Sequence, residues 1–185
     1  IVPKAALELI SSNQPLNRHR SGYLVLIDVR GSTEISNRVG ADKWTEFIDD
    51  INKRIATNVA SIGGEIFKVV WDCFYILVPA NETDSRVENK IISLCSQVDS
   101  LISHELFNSK LIGTPRDSTT RVIVEYGEIS TGVQNQQYTI TGQTMPMASK
   151  LEQAVKSQSG WLYYRSGYIF NWCESVQLEI VHPST

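Results

Sequence analysis

Cysteine, histidine and long apolar runs are scarce in this sequence, and each scarcity excludes a class of protein. The 185 residues include three histidines without the spacing of a metal site, so we assign them no role. The three cysteines (Cys73, Cys95 and Cys173) cannot all pair and match no zinc or redox motif, so we expect reduced core residues in a cytoplasmic protein. No apolar run approaches the ~20 residues that cross a bilayer, so we expect no membrane contact by this domain.

Basic character is also missing, because 17 lysines and arginines face 20 aspartates and glutamates, for a formal charge of −3. We therefore expect no nucleic-acid partner. A chain of this length with 42% hydrophobic residues suffices for one substantial core. We predict a single domain over residues 1–185, with an N-terminal helix and loop over residues 1–21. No signal peptide is visible, and the start at Ile1 is consistent with a piece excised from a longer protein.

Apolar periodicity predicts an alternation of strands and helices. Strands are predicted over residues 24–29, 65–70, 73–78, 121–126, 128–131, 138–141, 161–164 and 176–181. Helices are predicted over residues 3–12, 33–39, 41–62, 87–102 and 144–156. Loops are expected over residues 11–21 and 111–118, with a turn at Gly127. The order βαββαβ indicates an α+β fold, a ferredoxin-like sheet with covering helices and an extra C-terminal hairpin.

Two acidic residues stand where predicted apolar strands end. Asp28 follows the apolar run 24–27 of the first strand and comes just before a Gly-Ser-Thr turn, and Asp72 lies in the tight turn between the second and third strands. Two such carboxylates can seat paired divalent metals, and a turn that opens a helix can offer backbone N–H groups to phosphates. Trp71 occupies a turn position that favours glycine or asparagine, and such departures are often found at functional sites.

Four motifs occur in a fixed order between residues 22 and 153. They read D-V-R-G-S-T, G-G-E-I-F-K-V-V-W-D, V-E-Y-G-E-I-S-T-G and Y-T-I-T-G-Q-T-M-P-M-A-S-K-L-E. This ordered set resembles the class III nucleotidyl cyclase catalytic domain. The resemblance implies a head-to-tail homodimer with a ferredoxin-like sheet. It also implies conversion of a nucleoside triphosphate to a 3′,5′-cyclic nucleotide and pyrophosphate, with two divalent ions, Mg²⁺ or Mn²⁺.

The resemblance assigns metal and phosphate contacts residue by residue. Asp28 and Asp72 match the two metal-binding aspartates, and Val29 matches the position whose backbone carbonyl contacts one metal. The family's phosphate turn corresponds to Gly31, Ser32 and Thr33. Arg121 is a further candidate for a contact to phosphate or to the partner subunit.

The resemblance also assigns base contacts, and it fails at three positions. Lys68 and Thr139 match the pair that reads the base in adenylyl cyclases. Pro146 replaces the asparagine that orients the ribose, and its side chain offers no hydrogen bond. Lys150 replaces the arginine that stabilises the transition state, and keeps the charge without the bidentate fork. Trp71 replaces a glycine beside the second metal aspartate, where it covers a base or occludes the pocket.

Each of these residues also has a structural interpretation, so three hypotheses stay open. Lys68 and Lys150 suit solvated surfaces, Thr139 suits any strand, and no lysine after residue 161 matches the family's later phosphate-binding lysine. The first hypothesis is a divergent active cyclase whose substrate base is undetermined. In this hypothesis, one protomer supplies the two aspartates of a site and the other protomer supplies Lys68 and Lys150. The second is a catalytically silent homology domain that binds a nucleotide or a partner. The third is a dimerisation domain without metal affinity. The two aspartates favour the first hypothesis, and Pro146 favours the second.

Overall fold

Antiparallel strands and long helices form the frame of the protein in a computed structural model. The structure describes residues 18–80, 85–114, 119–134, 137–142, 144, 146, 148, 161–165, 168–172 and 179–181. The strands of the main sheet are β1 (Arg18–Val29), β2 (Glu65–Val70), β3 (Cys73–Pro79), β4 (Thr120–Gln134) and β5 (Gln137–Thr141). The helices with assigned bounds are α1 (Ser32–Val39), α2 (Ala41–Ser61) and α3 (Ser85–Asn108).

The main sheet has the strand order β2-β3-β1-β4-β5, with every pair antiparallel. Since β1 is central, nearly all of its side chains from residue 23 onward are apolar and buried. The order β1-α1/α2-β2-β3-α3-β4 confirms the predicted ferredoxin-like α+β fold.

One face of the sheet packs against α2 and α3 and forms the larger core. In α2, apolar residues recur every three or four positions, so they lie on one side of the helix and are buried there: Trp44, Phe47, Ile48, Ile51, Ile55 and Val59. From β1, this core receives Tyr23, Val25, Ile27 and Val29. The helices therefore cover the odd-numbered side of β1.

The opposite face, which we call the site face, receives the even-numbered side chains of β1. Leu24 and Leu26 form a second core cluster with residues of the neighbouring strands and of a helical segment: Phe67, Cys73, Leu77, Ile123, Ile129 and Ala148. Asp28 comes two residues after Leu26 and therefore belongs to this face. The sheet thus separates the side covered by α2 and α3 from the side that carries Asp28.

A second sheet follows near the C-terminal end of the described chain. Its strands are β6 (Trp161–Arg165), β7 (Tyr168–Trp172) and β8 (Glu179–Val181), in the order β6-β7-β8. The antiparallel pair β6–β7 forms a C-terminal hairpin, as expected, but its second strand was not predicted. β8, which pairs with β7, lies within the strand predicted over residues 176–181. None of the helices in the ranges described is long and apolar enough to cross a membrane.

Three predicted boundaries were wrong. β1 begins at Arg18, so residues 18–21 are strand rather than loop, because β4 provides register partners for all of them. β4 is continuous through Gly127, where we predicted a turn, since both flanking segments pair with β1. α3 continues to Asn108, six residues beyond its predicted end. Several predicted segments lie outside the described residues: the helix over residues 3–12, the loop residues 11–17 and 115–118, residues 149–156 of the helix predicted over 144–156, and Cys173.

Candidate active site

The sheet register brings Asp28 and Asp72 to the same end of neighbouring strands. Asp28 is the register partner of Cys73 on β3, and Asp72 directly precedes Cys73 in the hairpin turn. The N–H of Val29 also donates to the backbone oxygen of Asp72 at 3.3 Å. The juxtaposition that we expected from strand ends therefore exists in the fold, through β1 and β3.

Arg121 forms an ion pair with Asp28 that the sequence did not reveal. The two residues are register partners on β1 and β4, and Arg121 Nη1 lies 2.7 Å from Asp28 Oδ2. Their side chains are only 11% and 18% exposed, respectively. A short hydrogen bond between charged groups with little solvent around it is among the stronger polar contacts in proteins. A charged residue at the start of β4 was the available signal in the sequence, but its partner depends on the β1–β4 register.

A second arginine, Arg30, follows β1 and shares this electrostatic environment. Burial lowers the pKa of the Arg30 guanidinium, and the positive charge of Arg121 lowers it further, whereas Asp99 and Asp28 oppose this shift. The backbone N–H of Arg30 donates to the Thr119 oxygen at 2.8 Å, which fixes the end of β1 against the start of β4. Two arginines thus share the surroundings of Asp28.

Asp99 of α3 anchors the beginning of β4 from the helix side. Its Oδ1 accepts hydrogen bonds from the backbone amides of Thr119 (3.0 Å) and Thr120 (2.8 Å) and from both hydroxyls (3.1 and 2.7 Å). All three residues are buried. Because Arg121 is the next residue, this contact fixes the backbone from which its guanidinium reaches Asp28. Sequence reasoning assigned Asp99 no role.

The Gly-Ser-Thr turn connects β1 to α1 at the same end of the sheet. Gly31 has φ +70° and ψ +15°, a left-handed conformation that favours glycine, and its carbonyl accepts the Ile35 N–H at 2.9 Å. Ser32 is half-buried and Thr33 is exposed. Amides in the first turn of any helix lack intrahelical acceptors, which makes such an end a suitable place for an anion. The phosphate turn expected from the sequence therefore lies beside Asp28.

Trp71 occupies the hairpin tip next to Asp72. Its φ is +59°, a left-handed value that is unusual for a bulky residue, and 86% of its surface is exposed. Asp72 itself is half-buried. The tryptophan that this turn position disfavours therefore adopts a strained backbone conformation next to Asp72, one of the candidate metal ligands.

The two residues expected to read a base lie on strands at opposite edges of the sheet. Lys68 is exposed on β2 and pairs with Tyr75, which packs against the site face. Thr139 lies on β5 and pairs with Gly132 of β4, and three strands separate β5 from β2. Within one chain, the sheet therefore does not bring Lys68 and Thr139 onto neighbouring strands, and their joint role stays a prediction.

The segment after β5 carries the positions where the family motif fails. Residues 144, 146 and 148 are helical, and Pro146 is exposed. The hydroxyl of Thr144 donates to the Glu128 backbone oxygen at 3.0 Å, which fixes the start of this segment over β4. Lys150 lies outside the described residues, so its predicted role stays a prediction.

Glu125 is an unexpected buried carboxyl group on the site face. It is 8% exposed, it is the register partner of Leu24, and its Oε2 has no hydrogen-bond partner among the residues described. Burial raises the pKa of Glu125 to about 7. An acidic residue within the apolar run of β4 was a signal in the sequence that we did not interpret.

The donor atoms at this end of the sheet suit hard divalent cations. Carboxylate oxygens from Asp28 and Asp72, with the Val29 carbonyl, are the kind of ligand that Mg²⁺ and Mn²⁺ prefer. Among the described residues, no three histidine, cysteine, aspartate or glutamate side chains gather into a metal cluster. The residues present fit ions that take their remaining ligands from water and a bound triphosphate.

A ferredoxin-like antiparallel sheet with two aspartates at one end, beside a Gly-Ser-Thr turn, defines a catalytic-domain fold of the class III cyclase type. The chain belongs to the adenylate and guanylate cyclase catalytic domain family, whose model matches residues 16–159. No curated protein compared with the chain matches it.

Solved structures with the same fold include cyclases and one protein described as cyclase-like. The adenylyl cyclase CyaB from P. aeruginosa is 21% identical with a TM-score of 0.65, over 80% of this chain and 78% of that one. A bacterial light-regulated adenylyl cyclase is 15% identical with a TM-score of 0.66, over 88% and 49%. A class III adenylyl cyclase-like ATP-binding protein from P. aeruginosa is 14% identical with a TM-score of 0.63, over 81% and 34%. The chain thus spans half or less of the last two proteins.

Proposed function

We propose that the protein is a divergent nucleotidyl cyclase that converts a nucleoside triphosphate to a 3′,5′-cyclic nucleotide and pyrophosphate at a dimer interface. The observation that carries this proposal is the position of Asp28 and Asp72 at one end of neighbouring strands. The start of α1 lies at the same end, so carboxylates and helix amides are available together. Membership of the cyclase family supports the same reaction.

The residues of the site would promote cyclisation in two ways, by neutralising the charge of the triphosphate and by orienting the substrate. Asp28, Asp72 and the Val29 carbonyl would hold two Mg²⁺ or Mn²⁺ ions, which activate the ribose 3′-hydroxyl and neutralise the triphosphate when bound. The backbone N–H groups of Ser32 and Thr33 would donate hydrogen bonds to phosphate oxygens. Both contacts serve to hold the 3′-oxygen in line with the α-phosphate, which is the main requirement of this reaction.

The base would be bound by residues of the other protomer in a head-to-tail homodimer. Lys68 is exposed, and its strand partner Tyr75 packs against the site face. In such a dimer, Lys68 and Lys150 of one chain face Asp28 and Asp72 of the other. Trp71 and Thr139 are further candidates for contacts to the base. The same arrangement requires two chains for each complete site.

Two of the three departures from the family motif, Pro146 and Lys150, predict slow turnover. Pro146 has no side-chain donor for the ribose, and Lys150 replaces a planar guanidinium with a single ammonium group. The loss of one preorganised transition-state donor typically costs about 2.7–4 kcal/mol, a factor of about 10²–10³ in rate. We therefore expect cyclase activity well below that of a member with asparagine and arginine at these positions.

A catalytically silent domain that binds a nucleotide or a partner is the second candidate function. The exposed Pro146 favours it, because that position cannot orient a ribose by a side-chain hydrogen bond. The similarity of the fold to a protein described as ATP-binding and adenylyl cyclase-like also supports it. Such a domain keeps nucleotide affinity without product formation.

Product formation by the purified protein distinguishes these functions. The chain is incubated at high concentration with Mn²⁺ and each of ATP, GTP, CTP and UTP, and cyclic products are separated by chromatography. We expect one cyclic nucleotide, at least about 100-fold less of it with Asp28→Ala, and unchanged formation with Asp49→Ala, which removes an exposed carboxylate on α2. If no product forms at a concentration where the dimer is present, the activity is absent and the silent binding domain becomes the better description.

A further inference from the structure

The ion pair between Arg121 and Asp28 places a positively charged guanidinium group at the candidate metal site. We infer that Arg121 is a positioning residue that occupies Asp28 in the nucleotide-free protein, so that metal ions load together with the nucleotide rather than before it. This inference rests on the proposed function, since it takes Asp28 as a metal ligand. It concerns the order of loading, which family membership leaves open.

The geometry of the pair supports direct competition with a metal ion. Arg121 Nη1 lies 2.7 Å from Asp28 Oδ2, within hydrogen-bond distance. The two side chains lie beside each other on the neighbouring strands β1 and β4, and water has little access to either. A cation that binds Asp28 Oδ2 must displace the guanidinium or lie close to it. Repulsion between two cations is weakly screened where solvent is largely excluded.

The charges around the ion pair also favour loading of the metal ions together with the nucleotide. Asp28 and Asp72 supply two negative charges at this end of the sheet, Asp99 supplies a third from α3, and Arg121 and Arg30 supply two positive charges. Two divalent ions would add four positive charges to this group, more than the carboxylates can neutralise. A triphosphate that enters with them offsets that excess.

The backbone on both sides of the pair is fixed, so exchange of Arg121 for a metal ion is a movement of side chains. Asp99 holds the amides of Thr119 and Thr120 immediately before Arg121. The β1–β4 register then continues without interruption from Asp28 to Arg18. Loss of the Arg121 charge should therefore change metal affinity more than it changes the sheet.

Calorimetric titration of Mn²⁺ into the full chain tests the inference, with circular dichroism as a check on folding. Without nucleotide, we expect Arg121→Gln to bind Mn²⁺ at least about 10-fold more tightly than the native protein, because a competing cation is gone. Arg121→Lys, which keeps the charge, should stay near the native affinity. Arg20→Gln is the matched control, since Arg20 lies on β1 and pairs with Glu65 at 2.6 Å, away from Asp28. A purely structural role of Arg121 would weaken Mn²⁺ binding rather than strengthen it.

A second titration adds a 3′-deoxynucleoside triphosphate, which cannot cyclise, with each of the four bases in turn. We expect the native protein to bind Mn²⁺ substantially only when one of these is present. If the native protein binds Mn²⁺ alone as tightly as Arg121→Gln does, or as tightly as with nucleotide, the inference is overturned and the metal site stands. If neither protein binds Mn²⁺ with or without nucleotide, the proposed function fails as well. Arg121→Met, which keeps the apolar stem, replaces Arg121→Gln if that variant does not fold.

Discussion

Asp99 and Thr120 are joined by two hydrogen bonds to one carboxylate oxygen, at 2.8 Å from the Thr120 amide and 2.7 Å from its hydroxyl. The pair connects the middle of α3 to the first residue of β4, and both residues are buried. Buried carboxylates are rare unless their oxygens are satisfied. The position of Arg121 in the candidate site therefore depends on a helix to which the sequence assigned only a core role.

Asp99→Ala should destabilise the fold by roughly 3 kcal/mol, because hydrogen bonds to a charged acceptor disappear and buried amides lose their partner. Urea denaturation of the variant and the native protein measures this difference. Asp99→Asn keeps one acceptor oxygen and should recover part of the loss. Asp49→Ala, an exposed change on α2, should stay within about 0.5 kcal/mol of the native protein. A loss below about 1 kcal/mol for Asp99→Ala would contradict an anchoring role.

The Asp99 contact illustrates which part of the structure the sequence could not provide. The apolar period of α3 predicted a helix with a buried stripe, and this was correct because burial follows a 3.6-residue repeat. The same period cannot say which loop or strand lies opposite a polar residue within the stripe. That partner is 20 residues away in the sequence and depends on the packing of α3 on β4.

Glu125 should make the protein less stable as the pH rises through neutrality. Its folded-state pKa is about 7, above the ordinary value of 4.5, so the folded protein binds this proton more tightly than the unfolded chain does. Stability contributed by the neutral carboxyl is complete below the ordinary pKa and is lost as the pH rises through about 7. Between pH 5 and pH 8 the loss is at most roughly 3 kcal/mol.

Glu125→Gln should remove this decline, because an amide does not ionise in that range. Urea unfolding of both proteins at pH 5, 6, 7 and 8 gives the difference in stability, in which the other titrating groups cancel. Glu128→Gln is a matched control, since Glu128 lies on the same strand and is exposed. Parallel pH profiles for the native protein and Glu125→Gln would show that the Glu125 pKa is not raised.

Trp71→Gly should stabilise the hairpin by about 1 kcal/mol. The φ of +59° strains a tryptophan but not a glycine, and an indole that is 86% exposed loses little buried area when it is removed. Thermal denaturation of Trp71→Gly and Trp71→Ala separates the two effects, because alanine removes the ring and keeps most of the strain. Equal stability of these two variants would rule out backbone strain at Trp71.

The candidate site could be predicted from the sequence only where its residues are brought together by local structure. Asp28 and Asp72 were expected to meet because a strand, a hairpin and a tight turn allow few alternatives. The Asp28–Arg121 pair was not, since 93 residues separate the partners and only the β1–β4 register aligns them. The predicted turn at Gly127 failed because a glycine within a strand can also mark a close approach, here to Thr144.

Gly142→Ala should destabilise the protein by about 2 kcal/mol or more and, under the proposed function, reduce product formation. Gly142 has φ +126°, and an added Cβ would lie 2.8 Å from the Glu128 backbone oxygen, which cannot move away without disturbing β4. The segment that follows carries Thr144 and Pro146, so a shift there changes how it lies on the site face. Urea denaturation and the product assay are read together, with Gly113→Ala as the control, since a Cβ at Gly113 meets nothing within 4 Å. If Gly142→Ala is as stable as Gly113→Ala, this glycine does not fix the segment over β4.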